Sequence, residues 1–164
     1  MLPYSALLII YQSLVLPYIT YAIETWHSAP QYLLDQIFIL QKKAIRAIHL
    51  LPYNAHTHNY FKSSNLLKLK ELYKVCCCSQ LYLAINSESH CMNEKIRIHY
   101  EITGRNTRNQ NNLILPFYRR SKTQACFIYT AVKEWNSLPE LIKNSTSLPN
   151  FKFKLKNFYL SQYS

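Results

Sequence analysis

The chain opens on a long apolar stretch, MLPYSALLIIYQSLVLPYITYAI (residues 1–23), that contains no charged side chain. About 20 such residues are enough to span a bilayer. Here Pro17 interrupts the run, Ser5, Gln12, Ser13 and Thr20 are scattered through it, and no Lys or Arg flanks it to set a topology. The cationic start and small-residue cleavage site of a secretory leader are missing too. Tyr4, Tyr11 and Tyr18 recur every seven residues and so share one helical stripe. The stretch reads as a buried helix kinked or broken at Pro17, with a membrane span as the alternative.

Pro30 opens a second helix, about Gln31 to Leu51, in which Leu34, Ile37, Phe38, Ala44, Ile45 and Ile48 keep the spacing of one apolar face. Pro52 ends it, and LPYNAHTHNYFKSS follows as a linker. Ser63, Ser64 and Asn65 are N-cap candidates for a third helix reaching Asn86, with Leu69, Leu72, Tyr73, Cys76 and Leu83 on its apolar side. Residues 87–94 are polar and loop-like. KIRIHYEI alternates apolar and polar positions, TGRNTRNQNN reads as a turn, and LILPFY reads as a short strand limited by Pro116, which predicts a β-hairpin over about 95–118. Helices over about 122–160 follow, carrying Phe127, Ile128, Ala131 and Trp135, then Phe151, Leu155, Phe158 and Tyr159, on their inner sides. The expected fold is mainly α: a helical bundle over 1–87, then a basic C-terminal module over 88–164.

Composition changes the functional picture. The 164 residues include one glycine, Gly104, against an average usage of about 7%. That excludes the Gly-rich phosphate loops of P-loop and dinucleotide-binding proteins. Asp35 is the sole aspartate, and no two of the seven glutamates lie closer than six residues, which leaves no local carboxylate cluster for a two-metal transferase. No cofactor and no metal site are expected. Charge is uneven. Residues 1–41 hold no Lys or Arg, and all 19 basic residues fall in 42–164 against six acids, a net +13 there. An apolar packing half and a polyanion-facing half are expected.

Five cysteines, three of them adjacent at 76–78, do not form a disulfide framework and indicate reduced thiols in an intracellular protein, nuclear or cytoplasmic. His56, His58, His90, Cys91 and His99 with the cysteine run lack the paired spacing of a zinc site, and cysteine otherwise packs as a small hydrophobe. The basic residues say more. Lys42, Lys43 and Arg46 cluster in the second helix, Arg105, Arg108, Arg119 and Arg120 bracket the expected hairpin, and Lys152, Lys154 and Lys156 alternate with Phe151, Phe153 and Leu155. Cations that neutralise phosphates beside aromatics that stack on bases are the requirements of nucleic-acid binding. A solvated basic face over an ordinary aromatic core, with cations complementing helix C-termini, is the alternative.

The order of motifs carries a resemblance. TRN (107–109), LILP (113–116), RR (119–120), TQACFIYTAVKEWNSLPELIK (123–143) and SLPNFKFKLKNFYL (147–160) look like the C-terminal region of reverse transcriptases of non-LTR, jockey-like retrotransposons. LVLPYITYAIETW (14–26) is similar to the helix that follows the palm in that family, and QKKAIRAIH (41–49) and LLKLKELYKV (66–75) are similar to the helices beyond it. Trp135, Asn136, Leu138 and Pro139 make up the WN-LP motif. Ala22 stands where the family usually has glycine.

The resemblance implies thumb-like helices of an RNA-directed DNA polymerase whose catalytic aspartate pair lies upstream, in the palm. The chain would then be inactive alone. It would bind an RNA–DNA hybrid or DNA through Lys42, Lys43, Arg46 and the hairpin arginines, and would have the palm as its packing partner. Without a palm, the apolar first helix is expected to drive self-association. An interaction module without a nucleic-acid role, or a protein anchored to a membrane by residues 2–23, are the alternatives.

Overall fold

A computed structural model describes residues 2–86, 112–120 and 126–163, and the protein is mainly helical. The first helical run is not a single α-helix. α1 (Tyr4–Ile10) passes into a π-helical turn, Tyr11–Val15, and then into α2 (Leu16–Thr20). Proline has no N–H to donate and its ring crowds the preceding turn, so the wider turn falls just ahead of Pro17. The expected break therefore lies one turn early, and the residues beyond it are rotated off the tyrosine stripe. Tyr11 is buried, whereas Tyr4 and Tyr18 are exposed. The expectation of a buried helix is corrected with it: Tyr11 alone is buried between Tyr4 and Thr20, and Leu2, Ile9, Leu14 and Tyr18 face solvent. Among the described residues no helix is long and apolar enough to cross a membrane.

Ala22 adopts the left-handed conformation (φ 47°, ψ 32°) and caps α3 (Ile23–Trp26). That conformation crowds the Cβ of any residue but glycine. Pro30 opens α4 (Gln31–Ile48), as expected. The helix stops three residues before Leu51. Leu50 turns left-handed (φ 53°), Leu50 N–H donates to Ala47 O, and Leu51 N–H donates to Arg46 O. This double closure usually recruits glycine at the left-handed position. The expected linker holds a helix of its own, α5 (His58–Ser63), closed in the same way at Asn65 (φ 56°) through Asn65 N–H to Lys62 O and Leu66 N–H to Phe61 O. Ser64 and Asn65 thus end α5 rather than cap the next helix.

α6 (Leu69–Asn86), α7 (Phe127–Ser137), α8 (Glu140–Lys143) and α9 (Leu148–Ser161) complete the described elements. Of the expected β-hairpin, 95–111 lie outside the described residues. Residues 112–118 form no strand. Leu113 makes an isolated bridge, and the Asn136 side chain holds it as well: its Oδ1 accepts from Leu113 N–H (3.0 Å) and its Nδ2 donates to Leu113 O (2.9 Å).

The chain groups into two compact units, Met1–Tyr73 with Lys156–Ser164 (unit 1) and Lys74–Leu155 (unit 2). The sequence placed its boundary at 87/88, and both of those residues lie outside the described ones. Unit 1 buries Ile23, Ile45, Phe61 and Tyr163 and, with them, the polar Gln41, Thr57 and Ser64. Gln41 is fully buried and fully used. Its Oε1 accepts from Leu69 N–H (3.0 Å), and its Nε2 donates to Leu67 O (2.9 Å) and to Tyr11 Oη (3.0 Å). Three segments distant in sequence are tied at that point. Unit 2 has an aromatic core: Phe151 lies 4.6 Å from the Tyr82 ring and 5.7 Å from Trp135, and Tyr82 Oη donates to Ser145 O. Cys77 and Cys78 are fully buried there.

Candidate nucleic-acid interface

α4 carries Lys42 and Arg46 one turn apart, so both project from one side of the helix. Arg46 Nε donates to Ala55 O (2.9 Å), which folds the segment after α4 back along it. The fold-back brings His56 and His58 to the same side, and Lys68, just ahead of α6, closes the far wall. Together they line a half-open cavity of about 300 Å³, to which Phe38 and Phe61 contribute apolar surface. Three permanent cations and two imidazoles line it, and no carboxylate does.

Two of the cations are held by aromatic contacts. Lys42 Nζ sits 4.3 Å above the Phe38 ring, and Lys68 Nζ sits 4.2 Å above the Tyr163 ring. An ammonium over a ring face is attracted by its quadrupole while its N–H groups remain available to an anion. Lys68 Nζ also donates to His58 Nδ1 (3.1 Å). Tyr163 is itself fixed: its hydroxyl accepts from Lys68 N–H (2.9 Å) and donates to Glu71 (3.3 Å), its carbonyl accepts from Lys62 Nζ (2.7 Å), and burial pushes its phenol up.

A second cavity, about 360 Å³, shares Phe38 and Lys68 with the first but is electrically mixed, since Asp35 and Glu71 oppose Lys68 and Lys70. His27 lies on its wall and stacks on Tyr73, with ring centroids 3.7 Å apart. Burial, reinforced by Lys70, lowers the His27 imidazole to about 4, so it is neutral at physiological pH.

The remaining candidate residues are dispersed. Lys43 is exposed on α4, away from the cavity wall. Arg105 and Arg108 lie outside the described residues. Arg119 and Arg120 are exposed in an irregular segment two and three residues after Phe117, which is 91% exposed. The alternation in FKFKLK would align its lysines on a strand, but on α9 it winds them around the axis. Lys152 is exposed, Lys154 donates to Leu141 O (3.0 Å), and Lys156 is half-buried with its amine pushed down by burial. The WN-LP residues are structural. Trp135 and Leu138 are buried, Asn136 holds Leu113, and Pro139 caps α8.

His56, His58, Lys68 and Phe117 were not singled out as binding residues from the sequence. The folding-back of the segment after α4 reveals His56 and His58, and the placement of the residue just ahead of α6 reveals Lys68. A large aromatic beside two arginines in a Pro-interrupted stretch was a readable signal for the fourth. Among the described residues no group of three or more His, Cys, Asp or Glu is placed to hold a metal ion. No protein-family model, curated protein or solved structure matches the chain.

Proposed function

We propose that the chain is a non-catalytic part of an RNA-directed DNA polymerase of the non-LTR retrotransposon type, lying C-terminal to the palm, and that it holds template–primer or target nucleic acid by the phosphate backbone. The observation that carries this reading is the cavity beside α4, where Lys42, Arg46 and Lys68 converge without a carboxylate on the wall. Convergent cations with no internal counter-charge favour a polyanion. Phe117 beside Arg119 and Arg120 supplies a stacking face next to two bidentate phosphate donors. Ala22 supports the family reading from another side, because it holds the backbone conformation that glycine takes at least cost, at the position where the resembled family usually has glycine.

Titration of a labelled RNA–DNA hybrid at increasing salt tests the reading. Binding at low salt that weakens steeply as salt rises is expected, together with weaker binding by Arg119→Ala/Arg120→Ala at unchanged helix content. Absent binding at low salt, or binding indifferent to salt, contradicts it.

A second reading is favoured by the exposed Leu2, Ile9, Leu14 and Tyr18 along the first helical run and the residues before it. Exposed apolar side chains this frequent in one segment offer an interaction surface. In the resembled enzymes the palm would cover it, and in isolation a second copy would. A clean, stable monomer on size-exclusion chromatography at high protein concentration contradicts self-association.

A further inference from the structure

The cavity beside α4 has a shape that a backbone grip does not require. A duplex presents its phosphates on a convex surface, each carrying about one negative charge, and a side chain on an open helix face reaches them as well as one in a recess does. Here the cations are half-buried. Lys42, Arg46 and Lys68 converge on a half-open cavity of about 300 Å³, and the exposed His56 and His58 add ring nitrogens to its rim. Thr57, buried on the same wall, adds a hydroxyl. Arg46 Nε is engaged on Ala55 O, and the two terminal nitrogens of its guanidinium suit a bidentate grip on a tetrahedral oxyanion. Such a recess favours an anion that is compact, doubly charged and at the end of a chain. A phosphate monoester meets all three conditions, with a charge of about −1.5 to −2 at neutral pH and three acceptor oxygens.

We infer that this cavity receives the terminal phosphate monoester of a nucleic-acid strand, with Lys42, Arg46 and Lys68 neutralising it and His56, His58 and Thr57 hydrogen-bonding its oxygens. The inference rests on the nucleic-acid reading above and adds strand-end recognition to it.

The test compares one short blunt DNA duplex with 5′-phosphate or 5′-hydroxyl ends, at fixed salt, by fluorescence anisotropy with the full chain. The phosphorylated duplex should bind about tenfold tighter, the equivalent of about 1.4 kcal/mol. That ratio should fall towards one in Lys42→Gln/His56→Ala and persist in Lys43→Ala, which removes a charge from the same helix outside the cavity. The wild-type ratio decides the question even if the double variant folds poorly. Equal affinity for the two duplexes overturns strand-end recognition while leaving the backbone reading standing. No binding of either duplex overturns both. Inorganic phosphate or adenosine 5′-monophosphate that displaces the phosphorylated duplex at equal concentration also overturns it, because the cavity would then hold free phosphate rather than a strand end.

Discussion

The two units of this protein treat charge in opposite ways. In unit 1 a polar side chain, Gln41, is buried to tie three segments together, apolar residues of α1 and α2 face solvent, and cations from two places in the sequence converge on one cavity. In unit 2 an aromatic core around Phe151 takes the apolar residues, and cations are paired locally or spread over solvent. Lys74 bonds Glu134 (2.9 Å), Lys143 bonds Glu140 (3.0 Å) and Lys154 bonds Leu141 O. Both units draw on the same basic stretch of sequence. Net charge therefore does not distinguish the two units; convergence does, and convergence depends on a scaffold that brings distant residues to one wall.

The contrast can be broken most forcefully in the cores. Phe151→Ala removes a fully buried ring from unit 2 and should cost about 3–5 kcal/mol, seen as a lower midpoint in denaturant unfolding. Gln41→Ala should cost unit 1 about 2–4 kcal/mol, because it strands Leu69 N–H and Leu67 O in the interior. A milder loss would mean that water replaces the amide and that the polar tie is dispensable.

Acid should separate the units next. Burial, then Lys70, lowers the folded His27 value to about 4, below the ordinary 6.5 of an unfolded chain. Between those values the unfolded state takes up a proton that the folded state refuses. The stability is present above about pH 6.5 and is lost as pH falls towards 4. Burial of His49 acts in the same direction, while the described residues of unit 2 contain no histidine. Trp26 lies in unit 1 and Trp135 in unit 2, so single-tryptophan variants report each unit separately. The Trp26 signal should move at higher pH than the Trp135 signal, and His27→Gln should reduce the gap. Coincident transitions would contradict this.

The smallest effect sharpens the backbone argument. Ala22→Gly should stabilise by about 0.5–1 kcal/mol, since relief of the left-handed strain exceeds the entropy lost by glycine. A destabilised variant would show that this backbone is not strained by the Cβ.

These residues also show what the sequence could tell. Pro30 announced the start of α4, and 3.6-residue periodicity placed Phe151, Leu155 and Tyr159 on the inner face of α9, while Phe158, expected with them, is half-buried. The end of α4 was not legible, because its left-handed closing residue is Leu50 rather than glycine. In a chain with one glycine, Ala22, Leu50 and Asn65 take that conformation. α6 misled for another reason. Leu72, Cys76 and Leu83 fit a single stripe, yet they are half-buried while Cys77, Cys78, Leu81 and Tyr82 are buried. Its first turn belongs to unit 1 and the rest to unit 2, so its buried positions do not follow one face. Lys42 and Arg46 were readable as a cationic cluster. Their meeting with His56, His58 and Lys68 was not, because it depends on Arg46 pinning Ala55.

The salt dependence of DNA-duplex affinity tests the convergence of unit 1 most directly. With log affinity plotted against log salt, each phosphate contact contributes about 0.9 to the slope. Lys42→Gln/Lys68→Gln should reduce the slope by about 2, and Arg119→Gln/Arg120→Gln in unit 2 should reduce it less. A slope unchanged by the Lys42/Lys68 pair, with the whole loss falling on Arg119 and Arg120, would contradict the claim that the cavity beside α4 is where this protein meets nucleic acid.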